Sequence, residues 1–525
     1  MIAKELTIKQ PSMLDDFNEY SKKYSAIYEL HKYWARKPWL PIRNSIIKYS
    51  KIGDSVVDLF LGSGVTALES IILRRNFIGF DLNPMSIFIT ENTIFHDFDE
   101  SEFRNEFSEI KKCVKNIVND LYLSDIECKN CNEPLMLDHL NIGPKFGGSI
   151  YGYFYCPKCG KEKTKTKLLV DEEQLRKSFQ PRDLNFWYPD ISFPEKFYKD
   201  RFSYKGIKNI ADMYTPRNFY FLSYLLHVID SLNLNYRNLF LFAFSNTVLH
   251  ASKLKGENVR PLGVNNYWIP DDYIEENPWT RFENRVSKVL KAKKILKERI
   301  KEIELGDYKL YNQSSVSTGI PDSYVDYIIT DPPYGEAIQY SELSFMWNAW
   351  LKNTYDTTEE VIINPIQKKG KQEFLLLLDK IVKEANRILK EDKFLTLCFH
   401  NKDLSIWHGI LKIFKKRNFT LEYIEIEDTL GNSYNKNWAI YSPKADIYLT
   451  FKKGGYKPKD NKEYNLDDFL KNIKKSDFEG KGPRIYENVI VNLIHEIYYN
   501  DYEVDLSKLG LEDIIKRVDG IINAN

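Results

Sequence analysis

Residues 329–342 read ITDPPYGEAIQYSE. An apolar run ends in Asp331, two prolines (Pro332 and Pro333) and the ring of Tyr334. A carboxylate and a backbone carbonyl held rigidly together suit one kind of chemistry, that of an exocyclic amine whose lone pair is delocalised into a ring. Such an amine must become tetrahedral before it attacks an electrophilic carbon, and positive charge then develops on nitrogen. Two fixed acceptors stabilise that charge as it appears. Asp331 can offer a carboxylate oxygen and Pro332 its carbonyl, because a proline ring restricts the loop and brings no competing N–H. Tyr334 offers a flat face to a base taken out of its stack. Taken alone, the stretch also reads as a Pro-Pro turn after a strand.

A second stretch sharpens the reading. Residues 55–81 run SVVDLFLGSGVTALESIILRRNFIGFD. The apolar, β-branched SVVDLF predicts a buried parallel strand, GSG a tight turn, VTALESIILRR a helix and FIGFD a second strand. Gly62 and Gly64 permit close backbone approach to a ligand, and Asp81 can accept hydrogen bonds from ribose hydroxyls. The same glycines fit the loose G-x-G-x-x-G/A pattern of a nicotinamide dehydrogenase. An Asp-Pro-Pro-Tyr loop has no task in that chemistry.

Four of the six cysteines form the pairs Cys128/Cys131 and Cys156/Cys159. Two thiolate pairs at this separation suit a closed, tetrahedral, four-sulfur zinc ribbon, a structural rather than catalytic site. Cys113 and Cys398 stand alone. The formal net charge is +1, which excludes a histone-like chain or an acidic tail but not a nucleic-acid binder with a local basic face. Two lysine-rich runs, KEKTKTK at 161–167 and KAKKILKERIK at 291–301, read as solvated surface. The N-terminus has no signal-peptide core, and the longest mostly apolar run, FYFLSYLLHVI at 219–229, is too short to span a bilayer. A cytoplasmic protein without membrane association is expected.

The elements that must position these residues follow from the same patterning. YVDYIIT, KFLTLCFH, FTLEYIEIE and ADIYLTFKK read as further strands, and FLLLLDKIVKEANRIL as an amphipathic helix. The first β-α-β motif ends near residue 84 and the Asp-Pro-Pro-Tyr loop begins at 331, a gap longer than one sheet needs, so about 200 residues look inserted. Expected boundaries are 1–95 for the first part of an α/β core and 96–300 for the insertion, with a ribbon near 125–168 and a mainly helical remainder. The second part of the core follows at 301–455 and a helical appendage at 456–525. Within the insertion, RPLGVNNYWIPDDYIEENPW (260–279) reads as a loop that could contact bases or simply connect. His400 reads as a loop-packing residue.

Together, D-x-F-x-G-S-G-x-T, F-D-x-N-P, the inserted cysteine pairs, Y-T-P-R-N and D-P-P-Y-G resemble the zinc-ribbon-containing, adenine-specific DNA methylase family, over most of residues 25–455. The resemblance implies a Rossmann-like, seven-stranded class I methyltransferase sheet with S-adenosylmethionine as cofactor and structural Zn2+. It implies that Asp58, Phe60, Ser63 and Thr66 join Gly62 and Gly64 around the cofactor, and Asn83 joins Asp81. HKYWARKPW (31–39) sits where the family's motif X belongs, which implies that Tyr33, Ala35, Lys37 and Pro38 help hold the methionine end. Motif IV implies Asp331, Pro332, Pro333 and Tyr334 as the catalytic loop. The implied substrate is double-stranded DNA, methylated at adenine N6 in restriction–modification or a related defence system. Any restriction endonuclease would be a separate polypeptide. Cytosine N4 in DNA and guanine N2 in tRNA remain alternatives, as does a zinc-ribbon DNA-binding subunit with a degenerate core. The insertion departs from the plain family arrangement by starting directly after the second strand, which leaves its recognition role open.

Overall fold

The computed structural model describes residues 25–146, 149–168, 185–198, 206–258, 261–262, 267–354, 356–401, 403–428, 445–456, 491–495, 498, 514, 516 and 520. The chain divides into two compact units, each built from discontinuous segments. One comprises Tyr33–Thr90, Ile303–Glu342 and Thr354–Asn525; the other comprises Met1–Lys32, Glu91–Glu302 and Leu343–Asn353.

The first unit is organised on a seven-stranded sheet. Its strands are β1 (Ser55–Asp58), β2 (Asn76–Asp81), β3 (Tyr308–Asn312), β4 (Val325–Thr330), β5 (Leu389–Phe399), β6 (Phe419–Asp428) and β7 (Ala445–Lys453). Their spatial order is β6-β7-β5-β4-β1-β2-β3. The five strands from β5 to β3 run parallel, while β7 is antiparallel to both β5 and β6. The order reverses at β1, between β4 and β2, and a switch point of this kind opens a crevice at the carboxyl ends of parallel strands. Both chemistry-bearing loops leave the sheet there. This is the expected α/β architecture with a seven-stranded, mostly parallel sheet. Six of the strands match apolar runs in the sequence. The edge strand β3 does not, because YKLYN is largely exposed and carries no buried pattern.

Helix Lys371–Ile388 explains much of the core. Phe374, Leu378, Ile381, Ala385 and Ile388 recur at three- and four-residue intervals and are fully buried or nearly so. They pack with Leu395, Leu397 and Phe399 of β5 and with Leu449 and Phe451 of β7 in one cluster. Each of these Leu, Ile and Phe side chains contributes about 1.5–3 kcal/mol when fully buried. Of the C-terminal stretch expected as a helical appendage, most lies outside the described residues. Residues 491–495 are helical, and Leu493 and Ile494 join this same cluster.

The second unit holds the four cysteines. Strands Leu123–Glu127, Pro134–Ile142, Ile150–Tyr155 and Lys163–Leu168 form an antiparallel sheet, and Tyr273–Glu276 adds to the far half of Pro134–Ile142. The stretch expected as a connecting or base-contacting loop at 260–279 therefore contains a buried strand. Its alternation is masked because all four residues, Tyr273 to Glu276, are buried. The segment Y-T-P-R-N has a structural explanation. Thr215 caps helix Pro216–Ser231, with Pro216 at its first turn. Arg217 makes a buried ion pair with Glu275 at 2.9 Å. Asn218 donates to the carbonyls of Ala251 and Glu276 and accepts from the Tyr122 hydroxyl. These bonds tie two helices to the added strand. The basic run at 291–301 is only partly a solvated surface. Lys293, 2% exposed, donates to the carbonyls of Asn92, Thr93 and Phe95 at the end of helix Pro84–Ile94, and burial lowers its pKa to about 7.

Candidate active site and four-cysteine cluster

The glycine loop is built by local hydrogen bonds. Asp58, at the end of β1, accepts from the Phe60 N–H at 3.0 Å and from the Thr330 hydroxyl at 2.9 Å, which joins the ends of β1 and β4. The Leu61 N–H donates to the Phe80 carbonyl and the Gly62 N–H to Asp81 Oδ2, both at 2.9 Å. Asp81 Oδ1 accepts from the Asn83 N–H, and Asn83 in turn accepts from the Met85 N–H. Gly62 and Gly64 have φ of 55° and 76°, the left-handed region. A Cβ at Gly64 would lie 2.4 Å from Thr90 Oγ1, and one at Gly62 would lie 3.3 Å from the Tyr33 ring. The first glycine is bare where an aromatic ring approaches, the second where a helix does. Helix Val65–Ile72 starts directly at Gly64. Burial raises the pKa of both Asp58 and Asp81 to about 6, against the hydrogen bonds that favour their charged forms.

The Asp-Pro-Pro-Tyr loop is built by long-range charge. Tyr334 donates its hydroxyl to Asp331 at 2.6 Å. Lys37, from the loop before helix Trp39–Tyr49, donates to the Tyr334 hydroxyl and to Asp446 at 3.0 Å, and lies 3.7 Å from Asp331. Asp446 is at the amino end of β7, which runs antiparallel and so brings its start to the carboxyl end of β5. Cys398, buried near the end of β5, lies 3.9 Å from the Tyr334 hydroxyl. The loop backbone is held from the other side. Asn401 donates to the Tyr334 carbonyl at 3.4 Å, and the Phe399 ring packs edge-on against Tyr334 with centroids 5.4 Å apart. His400, expected to pack a loop, has its ring centroid 5.8 Å from that of Tyr334.

The electrostatics follow from this packing. Burial raises the pKa of Asp331 to about 7, while the Lys37 charge and the Tyr334 hydrogen bond pull it down. Burial disfavours the charge on Lys37, but Asp331, Cys398 and Asp446 outweigh it and hold the ammonium above its usual range. A buried cation between two carboxylates is thus the organising charge of the loop. Asp331 keeps 26% of its side-chain exposure, so it remains open to a ligand.

One cavity of about 110 Å3 joins the two loops. Among the residues expected from the sequence, Tyr33, Lys37, Asp58, Phe60, Gly62, Ser63, Thr66, Asp81, Asn83, Asp331 and Pro333 line it. Gly64, Pro332 and Tyr334 are not among the residues that line it. Pro332 is buried, and Tyr334 acts on the cavity through Asp331 and Lys37. Tyr33 hydrogen-bonds Ser86 at 3.2 Å and stacks on Tyr340 at 5.7 Å. Lys37, expected to help hold the methionine end, lines the cavity and is paired with Asp331 and Asp446. Sequence reasoning missed Asp446, Cys398, Tyr340 and the pair Ser314–Ser315, of which all but Asp446 line the cavity. The polar serine pair after an apolar-poor strand is a faint signal. Asp446 offers none, being one acid at the start of an ordinary strand.

In the other unit, the sulfurs of Cys128, Cys131, Cys156 and Cys159 lie within 4.8 Å of one another. Cys128 and Cys159 are 3.6 Å apart, and Cys131 and Cys156 are 3.5 Å apart. A tetrahedral ion with bonds of about 2.3 Å spaces its four sulfurs by about 3.8 Å, so the cluster fits one. The two knuckles are alike. Asn132 and Gly160, each four residues after the first cysteine of its pair, have φ of 56° and 64° and donate to that cysteine's carbonyl. The four sulfurs could hold a metal ion. Among the described residues, no helix is long and apolar enough to cross a membrane.

Comparison with known proteins adds one local match. Residues 9–92 match the N6_N4_Mtase family model, described as DNA methylase. That span contains Tyr33, Lys37, the glycine loop and Asp81, and ends well before Asp331. No curated protein matches the chain. Among solved structures, similarity is found to a protein of Thermus thermophilus described as a candidate DNA modification methylase. It shares 17% identity, with a TM-score of 0.17, over 30% of this chain and 57% of that one. A SAM-dependent methyltransferase from Methanosarcina mazei shares 11% identity, with a TM-score of 0.17, over 31% of this chain and 77% of that one. The T. thermophilus protein in complex with S-adenosyl-L-methionine gives 17% identity and a TM-score of 0.16, over 33% and 70% of the two chains. This chain thus spans little more than half of the first of these relatives, and at such TM-scores the sheet topology stands on its own.

Proposed function

We propose that this chain, which carries a DNA methylase match over residues 9–92, is an S-adenosylmethionine-dependent DNA amino-methyltransferase acting on N6 of adenine. The observation that supports the reading most is that Asp331 and the glycine loop line a single cavity at the switch point of the sheet. A ligand held over the glycines would lie beside the acid that activates a second one.

The cavity suits the cofactor. Gly62 brings bare backbone to its surface, and Gly64 lets helix Pro84–Ile94 pack close behind the loop. Asp81 has lone pairs left for ribose hydroxyls, and Ser63, Thr66 and Asn83 supply further polar atoms. When bound, S-adenosylmethionine supplies an electrophilic methyl group on a sulfonium. The chain's own residues do the rest. Asp331 and the Pro332 carbonyl accept from the target amine, so that its lone pair leaves the ring as the amine turns tetrahedral. Charge appearing on the nitrogen is met by a carboxylate that is already in place. Lys37 is a positioning residue. Its ammonium keeps Asp331 ionised and fixes the Tyr334 hydroxyl, which sets the ring as a wall for a flipped base. The amine's proton leaves after transfer, with Asp331 as the nearest acceptor. No covalent enzyme intermediate is needed, and buried Cys398 and exposed Cys113 have no nucleophilic task. The four cysteines would hold structural Zn2+, closed to substrate.

The adenine assignment rests on the Asp-Pro-Pro-Tyr form of the loop. Transfer from labelled S-adenosylmethionine to DNA and, separately, to total RNA, followed by nucleoside mass analysis, tests it. N6-methyldeoxyadenosine is expected. N4-methyldeoxycytidine would keep the loop chemistry and move the base, and methylguanosine in RNA alone would overturn the substrate class.

A further inference from the structure

We infer that the lysine-bearing face of the edge hairpin of the cysteine-bearing sheet, strands Ile150–Tyr155 and Lys163–Leu168, is a docking surface for the phosphate backbone of DNA. The choice of DNA as occupant rests on the amino-methyltransferase reading above. Strand Lys163–Leu168, at the edge of that sheet, reads KTKTKL, and Lys163, Lys165 and Lys167 all point to the exposed side while Thr164 and Thr166 alternate inward. The neighbouring strand Ile150–Tyr155 alternates in phase. Ile150, Gly152 and Phe154 are buried, and Tyr151, Tyr153 and Tyr155 are on the face of the lysines. The register pairs them one to one: Tyr151 with Lys167, Tyr153 with Lys165 and Tyr155 with Lys163. Lys165 lies over two of the rings, 4.7 Å from Tyr151 and 5.2 Å from Tyr153. One strand further in, His139 stacks on Tyr153 with ring centroids 4.2 Å apart.

Lysines on an edge strand have an ordinary task, which is to stop another strand from pairing there. That task needs no aromatic row beneath them. A basic strip backed by aromatic rings is what a nucleic-acid backbone asks for, with cations at the phosphates and flat faces for sugars or bases. The acids nearby already have partners. Asp138 is engaged by His139 and Arg281, and Glu257 by Lys145. Lys163 and Lys167 have no salt bridge among the described residues.

The test is equilibrium binding of the full, zinc-loaded chain to fluorescent duplex DNA without cofactor, over a range of salt concentrations. A Lys163→Gln/Lys165→Gln/Lys167→Gln variant is compared with a charge-matched control at exposed helix positions, Lys111→Gln/Lys112→Gln/Lys115→Gln. Each phosphate contact adds about 0.9 to the slope of log K against log salt for duplex DNA, so the strip variant should lose two to three units of slope. The control should lose little, and Tyr153→Ala should weaken binding while leaving the slope unchanged. Zinc content and melting temperature show that the variants are folded. Equal losses in strip and control variants, no loss in the strip variant, or no DNA binding by the parent chain would overturn the inference. In a parallel titration with duplex RNA, a strip variant that loses RNA binding while keeping DNA binding would overturn DNA as the occupant. Binding is read without methyl transfer, so an inactive enzyme that still binds DNA through this strip would fail the functional reading and leave the docking surface intact.

Discussion

The two loops of the cavity leave adjacent strands of one sheet, yet they are held in different ways. The glycine loop after β1 is fixed mainly from within about 25 residues of chain, by Asp58, Asp81 and Asn83 accepting from backbone N–H groups, with the Thr330 hydroxyl as a long-range donor to Asp58. The Asp-Pro-Pro-Tyr loop after β4 is fixed from far away, by Lys37 some 300 residues earlier and Asp446 over 100 residues later. The first loop is a backbone cradle with its acids at fixed places. The second is a charge cluster whose state depends on all its members. A cradle should fail by losing its ligand, and a charge cluster by losing its chemistry.

Substitutions should separate the two. The largest effect is expected for Asp331→Ala, where loss of one preorganised group at a developing charge lowers the single-turnover transfer rate by about 10²–10³. Gly64→Val comes next. Its side chain would press on Thr90, where even a Cβ lies at 2.4 Å, from a backbone conformation that β-branched residues avoid. Calorimetry should show S-adenosylmethionine affinity reduced by at least about tenfold, a loss of about 1.4 kcal/mol. Lys37→Met should slow transfer by about tenfold, with cofactor affinity little changed, and lower the melting temperature. Removing one partner of a buried pair costs about 3–5 kcal/mol, and the partial exposure of Asp331 sets the expected loss at or below the lower end. An unchanged rate in Lys37→Met would return the lysine to the cofactor side of the cavity.

The smallest effect is in the pH profile. Asp331 accepts hydrogen bonds as a carboxylate, and its pKa lies at about 7. Transfer should therefore rise with pH through about 7 and level off above it. Lys37 holds that pKa down, so Lys37→Met should move the midpoint to higher pH. A midpoint that stays in place would show that the lysine does not govern the acid.

The same contrast explains what the sequence could convey. The glycine loop is legible because the backbone bonds to Asp58, Asp81 and Asn83 that shape it lie within one β-α-β unit and its start into the next helix, and the residue types announce themselves. Its long-range partners Thr330 and Tyr33 are not legible. The Asp-Pro-Pro-Tyr loop is legible as a motif, but not as a cluster. Asp446 and Cys398 are single residues in strands that read only as apolar runs, and the antiparallel placement of β7, which brings Asp446 to the cavity, is a property of the whole sheet. Lys37 is visible as a residue of interest, and its partners are not. Strand β3 escapes notice because an exposed edge strand lacks an apolar pattern. Strand Tyr273–Glu276 escapes because full burial of acids in pairs with Arg217 and Arg281 looks, in sequence, like a polar loop.

The most direct test of the account measures cofactor affinity and single-turnover transfer together, on the same preparations of Asp331→Ala and Gly64→Val. The account predicts a crossed pattern. Asp331→Ala binds S-adenosylmethionine within about threefold of the parent, a difference well under 1 kcal/mol, and transfers almost nothing. Gly64→Val binds weakly and recovers much of its rate at saturating cofactor. Parallel losses of binding and transfer in both variants would contradict it.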